Sequence, residues 1–397
     1  MTRFGDGLAV DLDLARAAAL ATRQALEPLQ GRAPDLLCLF VCTADPADVE
    51  AVGRQVAELS RARSLVGCSA AGVIGAGRAV ETSPAVSVWA AELPGARVQG
   101  FHLDTVRTDD TVAVLGMPQR ASDDAFALLL GDAYTFPADG FIERSNDALP
   151  GLTFVGGLTT GLGGAGSTRL LLDGEVYDRG AVGVLLGGQV GARSVVSQGC
   201  RPIGPTMTVT RAEGNVVLEL AGVPALTKLE QIVAELPEAE QAFVFRGLHI
   251  GLAMDEYADE HERGDFLVRG VIGADRERGG LAVGDLVEVG RSVRFQVRDA
   301  AAADEELADT LGGFRRRLGR DPVEGALLFS CNGRGSTLFA SADHDVVAVR
   351  EAFGVDAVSG FFAAGEVGPV GGRNHLHGFT ASLLAFGGHG KARSSHG

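Results

Sequence analysis

Three glycine-rich segments contain the residues whose types and spacing best suit ligand chemistry in this sequence. They share the pattern G-x-x-[AT]-[AT]-G-x-x-G and read GCSAAGVIG (67–75), GGLTTGLGG (156–164) and GFFAAGEVG (360–368). Glycine lets a ligand or a second backbone come close, and successive backbone N–H groups in such turns attract carboxylates and phosphates. The segments are therefore either parts of a binding site or tight strand connections that require glycine for space.

The third segment adds charged and aromatic side chains. Glu366 and Phe361 lie inside it, and Arg334 follows the preceding strand in SCNGRG, beside Asn332. A guanidinium group binds a carboxylate with two hydrogen bonds, and ligands bind at the strand ends of α/β sheets. The pattern predicts a site for a zwitterion, with Arg334 on its carboxylate and Glu366 on its amine. The alternative is an Arg334–Glu366 ion pair that closes the loop.

The segment QGCRPIGP (198–205) holds two prolines and two glycines, which predicts a rigid turn between strands. Gln198 and Arg201 in this segment either face the ligand or belong to a hinge between modules. The remaining predicted ligand-binding residues lie in the first two glycine segments and are Ser69, Thr159 and Thr160.

An enzymatic alternative rests on Cys331. This cysteine is a candidate nucleophile, with His375 or His377 as its base. A cysteine on a strand is more often a small buried apolar residue, and no nucleophile-elbow sequence surrounds this one. We therefore predict a protein without catalytic activity and keep a hydrolase that uses the Cys331 thiol or the Glu366 carboxylate as the alternative.

Other motifs predict neither a cofactor nor a metal. GLGGAG (161–166) matches a dinucleotide fingerprint, but a strand and a turn follow it where the fingerprint needs a helix. The acidic stretch 255–265 lacks the alternating ligands and the central glycine of a calcium loop, so it is predicted to be a surface loop. The two histidines of NHLHG (374–378) have no third ligand nearby in sequence.

The elements around the glycine segments form a repeated unit. Each segment follows a short apolar strand, and a stronger strand ends upstream of it near Cys42, Asp132 or Cys331. A helix is predicted between the two strands and a further apolar strand after the glycine segment. The unit is strand, helix, strand, glycine loop, strand, and the three glycine loops are expected to gather at a shared groove.

The stretch from about residue 189 to residue 321 breaks this pattern. It contains a predicted hairpin that turns at RAEGN and a helix from Pro224 to Leu236. The sequence thus predicts an α/β fold with mixed sheets built from the repeated units. It divides the chain into two modules, residues 36–221 and residues 222–372.

The composition of the chain argues against some classes of binding partner and some cellular locations. The 397 residues are 46% hydrophobic and carry a formal net charge of −16, which opposes binding to nucleic acid and to anionic membranes. Five cysteines without a repeated C-x-x-C spacing favour reduced thiols in a cytoplasm. The first residues contain three aspartates where a signal peptide needs an apolar core. No apolar run approaches the roughly 18 residues that a membrane span requires.

Together these segments resemble the FIST family, the paired FIST-N and FIST-C modules of signal-transduction proteins. The resemblance to FIST-N rests on LVGCSAAG (65–72), FVGGLTTG (154–161) and GAVGVLLGG (180–188), followed by SQGCRPIGP (197–205) and ELAGVPAL (219–226). The resemblance to FIST-C rests on LLFSCNGRG (327–335), SGFFAAGEVGP (359–369) and HLHGFTASLLAFG (375–387). Each motif is short, and their order and spacing over nearly the whole chain are what make the resemblance specific.

The resemblance implies a sensory module that binds a small ligand, with amino acids or their derivatives proposed. Many members of the family join the module to a kinase, cyclase, chemotaxis or F-box element. No residues here encode one, so we expect the signal to pass to a separate signalling protein. A non-catalytic scaffold, in which the glycine loops are only structural, is the third hypothesis.

Overall fold

The structure is a computed structural model, and it describes residues 2–108, 111–254 and 263–387. The chain contains both strands and helices, and the strands form mixed sheets, which confirms the predicted α/β class. The acidic stretch 255–265 lies mostly outside the described residues. Among the described helices, none has both the length and the apolar character required to cross a bilayer.

The chain folds into two compact units. The first, here called the three-sheet unit, contains the described residues up to Val196, residues Ala308–Leu376 and the described residues from Thr380 onward. The second, the barrel unit, contains Ser197–Leu307 and His377–Phe379. Both predicted modules therefore contribute chain to the three-sheet unit. The division of the chain into a module of residues 36–221 and a module of residues 222–372 remains a prediction from the sequence.

The three-sheet unit is named for its sheets, whose strands are numbered in chain order. Sheet I contains, from edge to edge, β1 (Arg3–Val10), β6 (Ala85–Glu92), β2 (Leu36–Cys42), β3 (Leu65–Ala70), β11 (Leu170–Leu172) and β12 (Glu175–Tyr177). Sheet II contains β14 (Ala192–Gln198), β26 (Thr380–Phe386), β22 (Gly325–Cys331), β23 (Val358–Ala363), β4 (Gly72–Gly75) and β5 (Arg78–Glu81). Sheet III contains β8 (Val112–Leu115), β7 (Ala96–Arg107), β13 (Ala181–Gly188), β9 (Phe126–Asp132), β10 (Thr153–Thr159), β24 (Gly365–Val370) and β25 (Arg373–His377).

The helices that accompany these sheets are α1 (Leu14–Leu26), α2 (Pro46–Ser60), α3 (Ala138–Ala148), α7 (Gly335–Leu338) and α8 (His344–Phe353). Helix α6 (Ala300–Leu318) begins in the barrel unit and continues in the three-sheet unit. Helices α1 and α2 cover the outer face of sheet I, and α3 covers the outer face of sheet III. The inner faces of all three sheets contribute to one apolar core.

Strand pairing brings the three glycine segments together. In each sheet the strand that contains the first residues of a glycine segment is parallel to the neighbour that precedes it in sequence: β3 to β2, β10 to β9, and β23 to β22. The chain then crosses to another sheet, where β4 pairs with β23, β24 pairs with β10, and β11 pairs with β3. These three crossings join the segments in a ring. The repeated unit itself stays a prediction.

Strand β2 shows why a continuous apolar run forms a central strand. Every residue of Leu36–Cys42 is buried. Its alternate residues face opposite sides: Leu36, Cys38, Phe40 and Cys42 enter the inner core, whereas Leu37, Leu39 and Val41 pack beneath α1 and α2. A strand covered on both faces needs apolar residues at every position.

The first strand, β1, was not predicted because RFGDGLAV contains two glycines and an aspartate, which weaken a strand signal. The structure explains those glycines. A Cβ atom on Gly5 would lie 2.2 Å from the carbonyl oxygen of Ala25, and one on Gly7 would lie 2.2 Å from that of Ala21. Helix α1, capped by Asp13 through the backbone N–H groups of its first turn, packs directly against the strand.

The barrel unit is an antiparallel barrel. Its strands, in order around the barrel, are β15 (Cys200–Glu213), β21 (Ser292–Arg298), β18 (Leu248–Ala253), β19 (Phe266–Asp275), β20 (Gly280–Val283) and β16 (Val216–Leu220), with the short β17 (Val223–Pro224) beside β16. Strand β15 pairs with both β21 and β16, which closes the barrel. The unit also contains helices α4 (Ala225–Glu235) and α5 (Glu238–Arg246). The predicted hairpin and helix in this region are confirmed.

The predicted rigid turn at residues 198–205 is wrong. From Cys200 onward these residues form the beginning of β15. Pro205 is accommodated because the pairing with β21 is irregular between Ile203 and Met207, where Gly204 has a φ of 65°; Pro202 lies before this irregularity, opposite Gln296. A bulge tolerates proline and glycine within a strand because it interrupts the hydrogen-bond ladder.

Glycine is required at the first position of each motif for the same structural reason. A Cβ atom there would strike a carbonyl oxygen of the neighbouring parallel strand: Leu39 at 2.3 Å for Gly67, Leu129 at 1.9 Å for Gly156 and Leu328 at 1.7 Å for Gly360. No side chain fits at such distances, so these glycines are required by strand packing. This observation favours the structural interpretation of the first motif position.

We predict that Gly360→Ala lowers the free energy of unfolding by about 1–3 kcal/mol or more, because backbone must move to admit the methyl group. Gly140→Ala in α3 is the matched control, since a Cβ atom on Gly140 would meet nothing within 4 Å. That variant should keep or raise stability by up to about 1 kcal/mol. Equal effects of the two substitutions in urea denaturation would contradict the close-packing explanation.

Candidate functional site

A group of buried polar side chains lies at the carboxyl ends of β22 and β23. This buried polar cluster consists of Ser330, Cys331, Arg334, Asp345 and Glu366. Parallel pairing of β22 with β23 places both strand ends at one edge of sheet II. Only Ala364 separates β23 from β24, so Glu366, the second residue of β24, lies near the end of β23.

Arg334 and Asp345 form a bidentate ion pair inside the protein. The Nε of Arg334 donates to Oδ2 of Asp345 at 2.7 Å, and Nη2 donates to Oδ1 at 2.9 Å. Their side chains are 1% and 4% exposed. The hydroxyl of Ser330 donates to Oδ2 at 2.6 Å, and Nδ1 of His344 lies 2.9 Å from Oδ1. The Asp345 carboxylate is therefore surrounded by polar partners.

These partners decide the charge of Asp345. Burial alone raises the pKa of this carboxyl group, but the Arg334 charge and the hydrogen bonds from His344, Arg334 and Ser330 together hold it well below its usual range. Asp345 is consequently ionised at neutral pH and neutralises Arg334.

Glu366, unlike Asp345, keeps its proton at neutral pH. Its side chain is fully buried, and its Oε2 accepts hydrogen bonds from the backbone N–H and the hydroxyl of Thr380, at 3.0 and 2.9 Å. Burial raises the pKa of Glu366 from 4.5 to about 8, against the lowering effects of Thr380, of a hydrogen bond with Cys331 and of the Arg334 charge. Glu366 is therefore predominantly a neutral acid at pH 7.

The partner of Arg334 was missed by the sequence reasoning, which considered Glu366 for that role. The available signal was an acid in the first turn of the predicted helix after β22: Asp345 lies there, in α8. Sequence alone does not show which of two acids reaches a buried guanidinium, because both follow the strand at distances that a loop can span.

The aromatic residue predicted to line the site belongs to the core. Phe361 is fully buried, with its ring centroid 5.3 Å from that of Phe40 and 5.5 Å from that of Phe329. The ring next to the ion pair is Phe339, which lies 5.2 Å from Cζ of Arg334 and stacks on His344 at 3.5 Å. Asn332 is half-buried, and its backbone N–H donates to the carbonyl of Ala363 at 2.7 Å.

The predicted residues of the first two glycine segments connect those segments to each other. The hydroxyl of Thr159 donates to the carbonyl of Ser69 and accepts from the backbone N–H of Gly161. The hydroxyl of Ser69 accepts from the backbone N–H of Arg169 at 2.9 Å. Thr160 is half-buried at the end of β10. These contacts join the first two glycine segments to each other, and none of them involves a residue of the buried polar cluster.

The last two predicted residues lie in the barrel unit. The Nε2 of Gln198 donates to the carbonyls of Gly264 and Phe266. Arg201 forms ion pairs with Glu240 at 2.9 Å and Asp299 at 3.2 Å. Both side chains thus have internal partners in the barrel unit. The predicted ligand-binding residues fall into three separate groups of contacts.

The candidate nucleophile of the enzymatic alternative is also enclosed. Cys331 is 7% exposed, its side chain hydrogen-bonds to Glu366, and its Sγ lies 3.4 Å from the backbone N of Gly333. The acid in contact with this thiol is therefore Glu366. Within the described parts of the chain, no group of three or more His, Cys, Asp or Glu residues is arranged to hold a metal ion.

We predict that Glu366→Gln changes how stability depends on pH. A carboxyl group whose pKa is raised to about 8 on folding stabilises the folded state fully below about pH 4.5 and loses that contribution as pH rises through 8. Glutamine does not titrate. The stability of the variant relative to the wild type should therefore increase from pH 5 to pH 8, as measured by urea denaturation.

Glu351→Gln, at an exposed position of α8, is the control for the loss of one glutamate. Its pH profile should run parallel to that of the wild type. A parallel profile for Glu366→Gln as well would show that Glu366 is not protonated in the folded protein.

Comparison with known proteins identifies the family of this chain. The sequence matches the FIST N domain over residues 35–223 and the FIST C domain over residues 225–369. An uncharacterised protein of Mycobacterium tuberculosis is 44% identical over 384 residues, which cover 97% of this chain and 99% of the relative. An uncharacterised protein of Mycobacterium bovis is 43% identical over 385 residues, which cover 97% and 98% of the two chains.

FIST domains are sensory, non-enzymatic modules of signal transduction. The two domain matches together cover nearly the whole chain. The predicted resemblance is thus confirmed, and this protein belongs to the FIST family.

Proposed function

We propose that this protein is a cytoplasmic sensory module that binds a small, amino-acid-like molecule and passes the signal to a separate protein. Membership of the FIST family supports the sensory role. Burial of all five cysteine thiols, none of them in a disulfide, supports a reducing compartment. The observation that carries the ligand-binding proposal is the buried polar cluster at the end of sheet II.

A buried ion pair is a poor way to stabilise a core. The cost of removing two charges from water can exceed the attraction between them, and apolar residues of similar volume often serve equally well. Strongly shifted carboxyl groups concentrate instead at binding and catalytic sites. The position of Arg334 and Glu366 at the carboxyl ends of parallel strands is also the usual ligand position in α/β sheets.

In the proposed complex, the ligand carboxylate takes over the guanidinium of Arg334 from Asp345. The ligand ammonium group binds Glu366, which must then be ionised. Asn332, half-buried beside Arg334 in sequence, supplies a further polar contact. Phe361 supports the site from the core.

Access to the cluster requires the covering segment to move. Residues 335–343 follow Arg334, and Phe339 in this segment lies over its guanidinium group. The backbone N–H of Ser336 donates to Oε1 of Glu81 at 3.2 Å, and its hydroxyl donates to Oε2. In this proposal, the ligand shifts the balance between a closed and an open arrangement of the segment, which requires different affinities for the two.

The test is a thermal-shift screen of the full chain against amino acids and common metabolites. A ligand at about a hundredfold excess over its Kd should add about 2.7 kcal/mol of stability. Because Glu366 holds a proton below about pH 8, binding of an ammonium group at pH 7 should release that proton. Titration calorimetry in phosphate and in Tris will measure the release as a difference in apparent binding enthalpy.

Glu366→Gln should abolish both the proton release and most of the ligand affinity, whereas Glu351→Gln should change neither. A screen without any stabilising compound would reject the proposed function. A ligand that binds the Glu366→Gln variant normally and releases no proton would reject this site.

A further inference from the structure

A cavity of about 680 Å³ lies elsewhere in the three-sheet unit, beside the β11–β12 hairpin. Residues that line it include Glu50, His102, Asp104, Arg169, Tyr177 and Arg179. They come from helix α2, strand β7 and the chain around the hairpin. The volume lies within the roughly 300–1,000 Å³ of small-molecule sites.

Positively and negatively charged side chains both line this cavity. Arg169 donates through Nε to Oε1 of Glu50 at 3.0 Å, and Arg179 donates through Nε to Asp178 at 3.2 Å. In the described part of the chain, no residue accepts a hydrogen bond from either Nη of Arg179. The exposed carboxylate of Asp104 accepts only from the adjacent backbone N–H of Thr105 among the described donors. Both a cation and an anion thus remain available to a ligand.

A flat aromatic wall completes the cavity. The rings of His102 and Tyr177 stack with centroids 3.7 Å apart and an angle of 13° between their planes. An aromatic ring offers a planar apolar surface against which a ligand side chain can pack.

Arg169 is held in position before any ligand arrives. Its Nη1 donates to the carbonyls of Gly166 and Thr168, at 3.3 and 2.9 Å. Its backbone N–H donates to the hydroxyl of Ser69. Ser69 in the first glycine segment and the residues just after the second segment therefore position this guanidinium group at the cavity. A pre-positioned group loses little conformational freedom on binding.

We propose that this cavity is a second binding site, for a small zwitterion with a planar or apolar side chain. The carboxylate binds Arg169 and Arg179, the ammonium group binds Asp104, and the side chain packs against Tyr177. The role of the ligand as a signal rests on the proposed sensory function. The position of the site does not depend on that function. Ser69 acts here as a positioning residue for Arg169.

The test uses titration calorimetry of the full chain with the free protein amino acids and with matched analogues. For L-phenylalanine, the analogues are phenylalaninamide, which lacks the carboxylate, and 3-phenylpropanoate, which lacks the ammonium group. We expect a zwitterionic amino acid to bind, and Arg179→Met and Asp104→Asn each to weaken it about tenfold or more, as loss of a charge-assisted hydrogen bond should. Each analogue of that amino acid should bind the wild-type protein more weakly than the amino acid itself, to a similar extent.

Arg54→Met, at an exposed position of α2 outside the cavity lining, is the control and should bind normally. Arg179 and Asp104 are themselves exposed, so their substitution should leave the melting temperature unchanged. An amino acid that binds equally well to Arg179→Met and Asp104→Asn, or loses affinity only in Glu366→Gln, would overturn this inference and leave the proposed function standing. Absence of binding by every amino acid would overturn this inference, whereas the proposed function is rejected only if the wider thermal-shift screen also finds no stabilising compound.

Discussion

The bidentate ion pair between Arg334 and Asp345 is the interaction on which the candidate site depends. A guanidinium group that is fully buried must have an anionic partner, and Asp345 supplies it with two hydrogen bonds. The same carboxylate engages Ser330 on β22 and His344 at the beginning of α8. One residue thus fixes the end of a central strand, the loop after it and the helix that follows.

Glu366 keeps its proton because it is buried, which raises its pKa to about 8. The Arg334 charge, already paired with Asp345, lowers this pKa but does not offset the effect of burial. One of the two acids near this arginine is therefore ionised, and the other is neutral. An arrangement of this kind couples ligand binding to proton uptake or release, since any ligand cation that approaches Glu366 must first displace its proton.

Features with a local cause were predictable from the sequence. The continuous apolar run of β2, the capped helix α1 and the β15–β16 hairpin each follow from neighbouring residues. The FIST family could also be inferred, from the order of short glycine motifs. The crossing of the chain between sheets could not, because it depends on pairings between segments far apart in sequence, such as β4 with β23.

The site was harder to predict than the fold for the same reason. Glycines at the first motif positions suggested ligand contact, but the structure explains them by the approach of a neighbouring strand. Arg334 and Glu366 were predicted from type and position and remain a prediction as ligand contacts, whereas Asp345, the partner of Arg334, was not predicted. Gln198 and Arg201 were predicted from a turn that is instead a strand with a bulge.

The most direct measurement of the central claim is a double-mutant cycle on Arg334 and Asp345. The free energy of unfolding is measured for the wild type, Arg334→Met, Asp345→Asn and the double variant. Each single substitution leaves one charge buried without its partner and should cost about 3–5 kcal/mol. The double variant should cost clearly less than the sum of the two, since the groups act as a unit. Small or additive losses would contradict the dependence of this site on the pair.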